Sequence, residues 1–263
     1  MKTNPVLLAL MEVSLLLPLS LGAAQFCTNV PAGSYLVPGT IDLNRPGLPA
    51  TQIYKYFPVY RSFSVCNFDD IDLVWTPSQP GHIPGEGFIV ATAGNAMFCF
   101  PEPTQSPVLP LTLHPGINLV CCQSNIPATY EDIVGKAPVP GTRLYRMKKG
   151  GGDPFPISYF GTNWVSYLYL NGGWSPTTPI AGVGEAVVIY ITPLTQNAAI
   201  INGRMEFDVY SPAGYQMTIE RSDSLNAPQW QTLTTFTPGS GVTHVTDPDQ
   251  ISAHAERYYR ARL

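Results

Sequence analysis

WTPSQPGHIPGEGFIV, residues 75–90, returns ninety-nine residues later as WSPTTPIAGVGEAVVI, residues 174–189. Laid over each other without a gap, Trp75 meets Trp174, Pro77 meets Pro176, Pro80 meets Pro179, Gly85 meets Gly184 and Glu86 meets Glu185. Thr76/Ser175, Ser78/Thr177, Ile89/Val188 and Val90/Ile189 exchange conservatively. Each copy reads as a Trp segment, a Pro/Gly-rich connection, and a Gly-Glu turn that opens a dense apolar run. The echo extends outward in the same order. NVPAGSYLV (29–37) resembles TLHPGINLV (112–120), and QIYKY (52–56) resembles RLYRM (143–147). Spacing between landmarks varies, as loop insertions allow. The pattern predicts two copies of one small β-rich unit, residues 25–104 and 105–196.

Strand signals dominate both units. FIVATA (88–93) and VVIYIT (187–192) are apolar at nearly every position, as strands covered on both faces require. IYKYF (53–57) alternates, with Ile53 and Phe57 on one face and Lys55 between them. WVSYLYL (164–170) is a further strand, and NGG (171–173) is a hairpin turn because Asn and Gly accept positive φ. It pairs that strand with the one opening at Trp174. The best helix candidate is one or two turns from Tyr130 to Val134. Thr129 would cap it, Asp132 stands three residues on, and Gly135 would end it.

Residues 204–263 lie outside the echo. EFDVYSP, YQMTIERS, QWQTLTTF, GVTHVTD and RYYRARL are five short strands, enough for a small antiparallel β-sandwich. Alternation puts Tyr215, Met217 and Ile219 on one face, and sends Tyr259, Ala261 and Leu263 inward with Tyr258, Arg260 and Arg262 outward. The fold class expected is all-β: two tandem repeats and a C-terminal sandwich module.

Composition agrees and excludes some functions. Only 12% of residues are charged, while 27 Pro and 23 Gly punctuate the chain, which suits short strands and tight turns. Net charge is −4 with no basic face to neutralise phosphates, so no nucleic-acid partner is expected. Residues 1–24 read as a signal peptide: Lys2, an apolar run from Val6 to Leu21 broken by Glu12, then small residues ahead of a cut after Ala24. The competing reading is a buried helix of the mature fold. No other run approaches the ~20 apolar residues of a membrane span. A secreted, periplasmic or cell-surface protein is therefore expected. Cys27 follows the cut closely, but Phe26 stands where a lipoprotein needs a small residue.

Five cysteines, Cys27, Cys66, Cys99, Cys121 and Cys122, leave at least one unpaired within the chain. Cys66 with Cys99 would staple the first unit, leaving Cys27 to reach Cys121 or Cys122. Buried free thiols are the alternative.

The tail pattern Y-x-M-T-I-E-R-S-D-S-L, Q-W-Q-T-L, T-D-P and R-Y-Y-R-A-R resembles a C-terminal β-sandwich module of exported bacterial proteins. Its layout is similar to fibronectin type III and immunoglobulin-like modules. The W-x-P…G-E-G-F unit likewise resembles a duplicated module of uncharacterised exported bacterial proteins. The resemblance implies binding or display and no particular activity.

Chemistry-bearing residues are sparse. Glu86 and Glu185 could form an acid/base pair. A carboxylate beside Gly at a strand entry also accepts backbone N–H groups that the turn leaves unpaired. Its recurrence in both units favours that second reading, because each unit needs its own turn. Trp75, Gly85, Glu86, Trp174, Gly184 and Glu185 are accordingly expected to be structural turn residues. His82, His114, His244 and His254 are scattered and match no metal-ligand spacing. No G-x-S-x-G elbow occurs, and KKGGGD (148–153) lacks the end of a phosphate loop. Asp69, Asp70 and Asp72 in NFDDID offer hard oxygens that suit calcium, without EF-hand spacing. Among the aromatic residues Tyr167 and Tyr169 are the expected exposed pair, a stacking platform for sugar rings. No catalytic residue and no cofactor other than calcium is expected. The function expected is non-catalytic binding or display toward a surface or matrix component such as a polysaccharide. The alternatives are carbohydrate binding through exposed aromatics and a glycoside hydrolase with paired Glu.

Overall fold

The computed structural model describes residues 25–39, 41, 51–69, 72, 74–78, 81, 83–101, 107–123, 126–148, 164–211, 214–239 and 242–262. The expected signal peptide, Asp70, His82 and Leu263 lie outside them. Among the described residues the chain is all-β apart from one five-residue helix and a short 3₁₀ turn.

The two echoes sit in two five-stranded antiparallel sheets of identical order. The first runs β2 (Gly33–Pro38), β6 (Gly87–Thr92), β3 (Gln52–Phe57), β4 (Ser62–Asp69), β5 (Val74–Thr76). The second runs β8 (Gly116–Cys121), β12 (Ala186–Ile191), β9 (Arg143–Met147), β10 (Trp164–Leu170), β11 (Gly173–Ser175). Register matches as well. Ile89 stands opposite Leu36 and Tyr54, and Val188 opposite Leu119 and Tyr145. Phe68 faces Trp75, and Tyr169 faces Trp174. The turn between β10 and β11 holds Asn171 and Gly172 at positive φ (53° and 79°), the backbone that the Asn-Gly pair was expected to supply.

The apolar runs β6 and β12 share one burial pattern and are covered on both sides, as their composition predicts. One face of each sheet meets the other sheet: Leu36, Tyr56 and Ile89 pack with Leu119, Tyr145 and Val188. The opposite faces carry different covers. On the first sheet, Ile53, Cys66, Phe68, Phe88 and Val90 lie beneath Val30 and Phe98 of a two-stranded ribbon, β1 (Gln25–Val30) with β7 (Ala96–Pro101). On the second, Leu144, Val187 and Ile189 lie beneath Tyr130, Ile133 and Val134 of α1 (Tyr130–Val134). Each fully buried aliphatic side chain contributes about 1.5–3 kcal/mol. Thr129 and Asp132 form the expected capping box on α1, and Gly135 closes it at φ 76°.

The cysteine pairing differs from both expected staples. Cys27 and Cys99 stand directly opposite each other in the ribbon and are joined as a disulfide, while Cys66, Cys121 and Cys122 take part in no disulfide. Cys66 lies on strand β4 instead, its thiol donating to the Ser78 carbonyl. The link spans 72 residues, a loop whose closure constrains the unfolded chain by about 4 kcal/mol. Burial pushes the Cys121 thiol up to about 12.

The third module is a sandwich of two three-stranded sheets. One is β13 (Leu194–Ile201), β14 (Arg204–Tyr210) and β17 (Val242–Gln250); the other is β16 (Gln231–Phe236), β15 (Met217–Ser222) and β18 (Tyr258–Arg262). Its core is Phe207, Val209, Met217, Ile219 and Val245, with Tyr259 and Ala261 against it, on the faces that alternation predicts. Strand β13 is the departure from the expected layout. It crosses the expected unit end at 196 and pairs with β14, so the sandwich begins ten residues before 204. As an edge strand it is exposed at most positions and bulged between Gln196 and Ala199, which erases the alternation that would reveal it.

Candidate functional site

Glu86 and Glu185 hold equivalent places and make equivalent bonds. Glu86 Oε2 accepts from Lys55 Nζ at 2.9 Å and from the Ile83 N–H at 3.1 Å. Glu185 accepts from Arg146 through both oxygens, Nε at 2.8 Å and Nη2 at 2.7 Å, and from the Gly182 N–H at 2.8 Å. Lys55 follows Tyr54 on β3 as Arg146 follows Tyr145 on β9, so each cation rises from the strand beside its own turn. Each carboxylate thereby ties the residue three before it to its own sheet. The Glu185 carboxylate holds the Arg146 guanidinium above its ordinary pKa. Each carboxylate thus accepts from one backbone N–H of its turn and from one cation of its own sheet.

Glycine before each Glu is a backbone requirement. Gly85 and Gly184 have φ of 82° and 69°, and a Cβ would stand 2.6 Å from Leu111 and 3.0 Å from Phe100 respectively. Trp75 packs on Phe68 with ring centroids 5.0 Å apart; Trp174 packs on Tyr169 at 5.3 Å and Tyr130 at 5.6 Å. Among the described residues neither buried indole N–H meets an acceptor.

The expected aromatic platform is placed differently. Tyr167 and Tyr169 do share the face opposite Trp164, but that face lies beneath the α1 cover and both are half-buried. Tyr167 packs into the core of the second sheet, and Tyr169 stands edge-on to Trp174. Of the acidic loop, Asp69 Oδ1 accepts the Asp72 N–H at 3.1 Å, a local turn bond. Among the described residues no three His, Cys, Asp or Glu side chains gather as ligands. His114 meets the Tyr215 hydroxyl at 3.3 Å, beside that hydroxyl's bond to the Leu113 carbonyl, so it helps join the third module to the second sheet. His244 lies between Asp208 and Glu206, at 2.9 and 3.1 Å, and those carboxylates raise its pKa.

Two constellations escaped the sequence. The first is an ionic network inside the third module. Asp247 is fully buried and accepts from Arg221, from Arg257 Nη1 at 3.0 Å, from the Tyr259 hydroxyl at 2.8 Å and from the Asp249 N–H at 3.0 Å. Burial pushes its carboxyl up, but these donors outweigh it and hold the pKa below the usual range. Arg257, itself 4% exposed, also reaches Asp223 at 2.9 Å and the His254 ring. Every member has a partner, so the network fastens β15, β17 and β18 together.

The second is a cleft of 440 Å³ where the first sheet, the second sheet and the third module meet, lined by Tyr56, Arg61, Ile117, Tyr190, Thr192 and Arg262 among others. Arg61 closes the turn between β3 and β4 at φ 49°, its N–H bonded to the Pro58 carbonyl at 3.3 Å. Next to it Val59 and Tyr60 are 71% and 77% exposed. Arg262 reaches Glu220 at 3.5 Å, whereas Arg260 lies at 2.6 Å from the same carboxylate. These residues come from separate stretches, so no local spacing could signal them.

The chain matches no protein-family model, no curated protein and no solved structure.

Proposed function

We propose that this protein is an exported, non-catalytic binding module that acts at the cell surface or in the extracellular matrix. The observation that carries the reading is the equivalence of Glu86–Lys55 and Glu185–Arg146. The one recurring pair of carboxylates is tied up, copy by copy, in bonds to its own turn. The matched order and register of the two sheets support a duplicated unit whose shared landmarks hold backbone. The cross-strand disulfide supports an oxidising compartment, and with it the expected export.

The test is a broad hydrolase panel applied to the chain from residue 25 onward. No turnover is expected. Robust turnover lost in Glu86→Gln or Glu185→Gln, with melting temperature unchanged, would end the reading. The carbohydrate alternative moves from Tyr167 and Tyr169, which are packed, to the cleft between modules.

A further inference from the structure

We infer that the cleft bordered by Arg61, Tyr190 and Arg262 binds an acidic polysaccharide, its carboxylate or sulfate groups held by the two guanidinium groups. The inference rests on the binding reading above and supplies its ligand class. The cleft has two cations and no carboxylate among its lining residues, in a chain whose net charge is −4. Its local potential therefore opposes that of the whole molecule, and concave walls concentrate it. Among the described residues the Arg61 guanidinium has no ion-pair partner. The backbone beneath it is left-handed, a conformation that costs a bulky residue about 1 kcal/mol and that Asn or Gly would adopt freely. Arg61 has the Tyr56 ring beside it but, among the described residues, no anion, and an acidic ligand in the cleft would supply one.

Shape and apolar surface select among anions. A volume of 440 Å³ falls in the range of about 300–1,000 Å³ typical of small-molecule sites. Tyr190 is half-buried beside Ile117 and Thr192, with Tyr56 buried behind, so a ring with apolar C–H faces and hydroxyl edges fits the wall. A planar guanidinium meets a carboxylate or sulfate through two parallel hydrogen bonds. Val59 and Tyr60, in the same turn as Arg61, are exposed and free to meet a chain-like ligand that continues past one site.

The experiment is calorimetric titration of the chain from residue 25 onward with polygalacturonate, dextran sulfate, uncharged dextran and polyglutamate at low salt. At least one of the two acidic polysaccharides should bind ten or more times tighter than dextran and polyglutamate, and weaken steeply with added salt. Arg61→Asn, chosen because Asn tolerates the left-handed backbone, and Arg262→Gln should each cost about tenfold, and Arg61→Lys should recover part of it. Melting temperatures of the variants serve as the folding control. Failure of both acidic polysaccharides to bind, equal binding of polyglutamate, or undiminished binding by the Arg61→Asn/Arg262→Gln double variant overturns the inference. Reducing ends are assayed in the same samples. Their release would strike the non-catalytic reading alone, whereas absent binding would strike the cleft alone.

Discussion

A double-mutant cycle on Arg146 and Glu185 tests the claim that the repeated carboxylate holds a turn. Glu185→Gln keeps the shape of the side chain but replaces one acceptor with an NH₂ group facing a guanidinium. Three hydrogen bonds converge on this carboxylate, two of them a parallel fork. The side chains are 31% and 20% exposed, so water screens the loss only in part. A charge-assisted bond contributes about 1.5–3 kcal/mol, and a partly wet one sits at the lower end. Glu185→Gln should therefore destabilise by about 2 kcal/mol, lowering the melting temperature by roughly 4–8 °C for a body of this size. Arg146→Gln should cost about 1–2 kcal/mol, with a coupling of about 1 kcal/mol between the two. Glu86→Gln should act in the same direction but less, because Lys55 meets one oxygen without a fork. Urea unfolding at a common slope gives all four values. If both Glu→Gln variants were as stable as the parent, the carboxylates would not be anchoring the turns. If stability held while a catalytic turnover vanished, they would be reagents.

Two further predictions follow from particular contacts. Gly87 and Ala186 occupy equivalent positions and meet where the sheets meet: a Cβ on Gly87 would lie 2.8 Å from the Ala186 Cβ. Gly87→Ala should therefore cost about 1–3 kcal/mol in thermal unfolding, and the exchange Gly87→Ala/Ala186→Gly should recover most of it; no recovery would refute the contact. Asp247 titrates below the usual carboxylate range when folded, so its contribution is complete above about pH 4 and is lost as pH falls through the lowered folded value. Asp247→Asn should cost about 3–5 kcal/mol at pH 7 and flatten the acid limb of the stability profile; an unchanged limb would place the acid sensitivity elsewhere.

What the sequence disclosed and what it withheld divide along one physical line. Short-range rules are written in consecutive residues. The capping box of Thr129 and Asp132, the Asn171-Gly172 turn, the doubly covered strands β6 and β12 and the in/out alternation of Met217 and Ile219 all appear in place. The covers of the two sheets were not legible, because the same sheet accepts a ribbon on one copy and a helix on the other. That difference also misplaced the aromatic platform: alternation puts Tyr167 and Tyr169 on one face, but says nothing of what lies over it. The Cys27–Cys99 link depends on which strand pairs with β7, and the Asp247 network on how three strands far apart in the chain converge.

The same line explains why the echo is informative about scaffold and silent about ligand. Two copies of a unit retain what each needs alone: a Gly that tolerates positive φ, a carboxylate for the N–H three residues back, and a Trp against the neighbouring strand. A site formed between copies is under no such duplicate constraint. Arg61 closes the hairpin turn of the first copy with left-handed φ and lines the cleft. Tyr190 of β12 corresponds in register to Ala91 of β6, a large ring against a methyl group. Gly87 and Ala186 likewise differ where the copies touch. The turn and sheet positions thus match between the halves, whereas Ala91 against Tyr190 and Gly87 against Ala186 are places where equivalent positions diverge. Divergence at equivalent positions, more than conservation of the echo, marks the surface on which a ligand would be read.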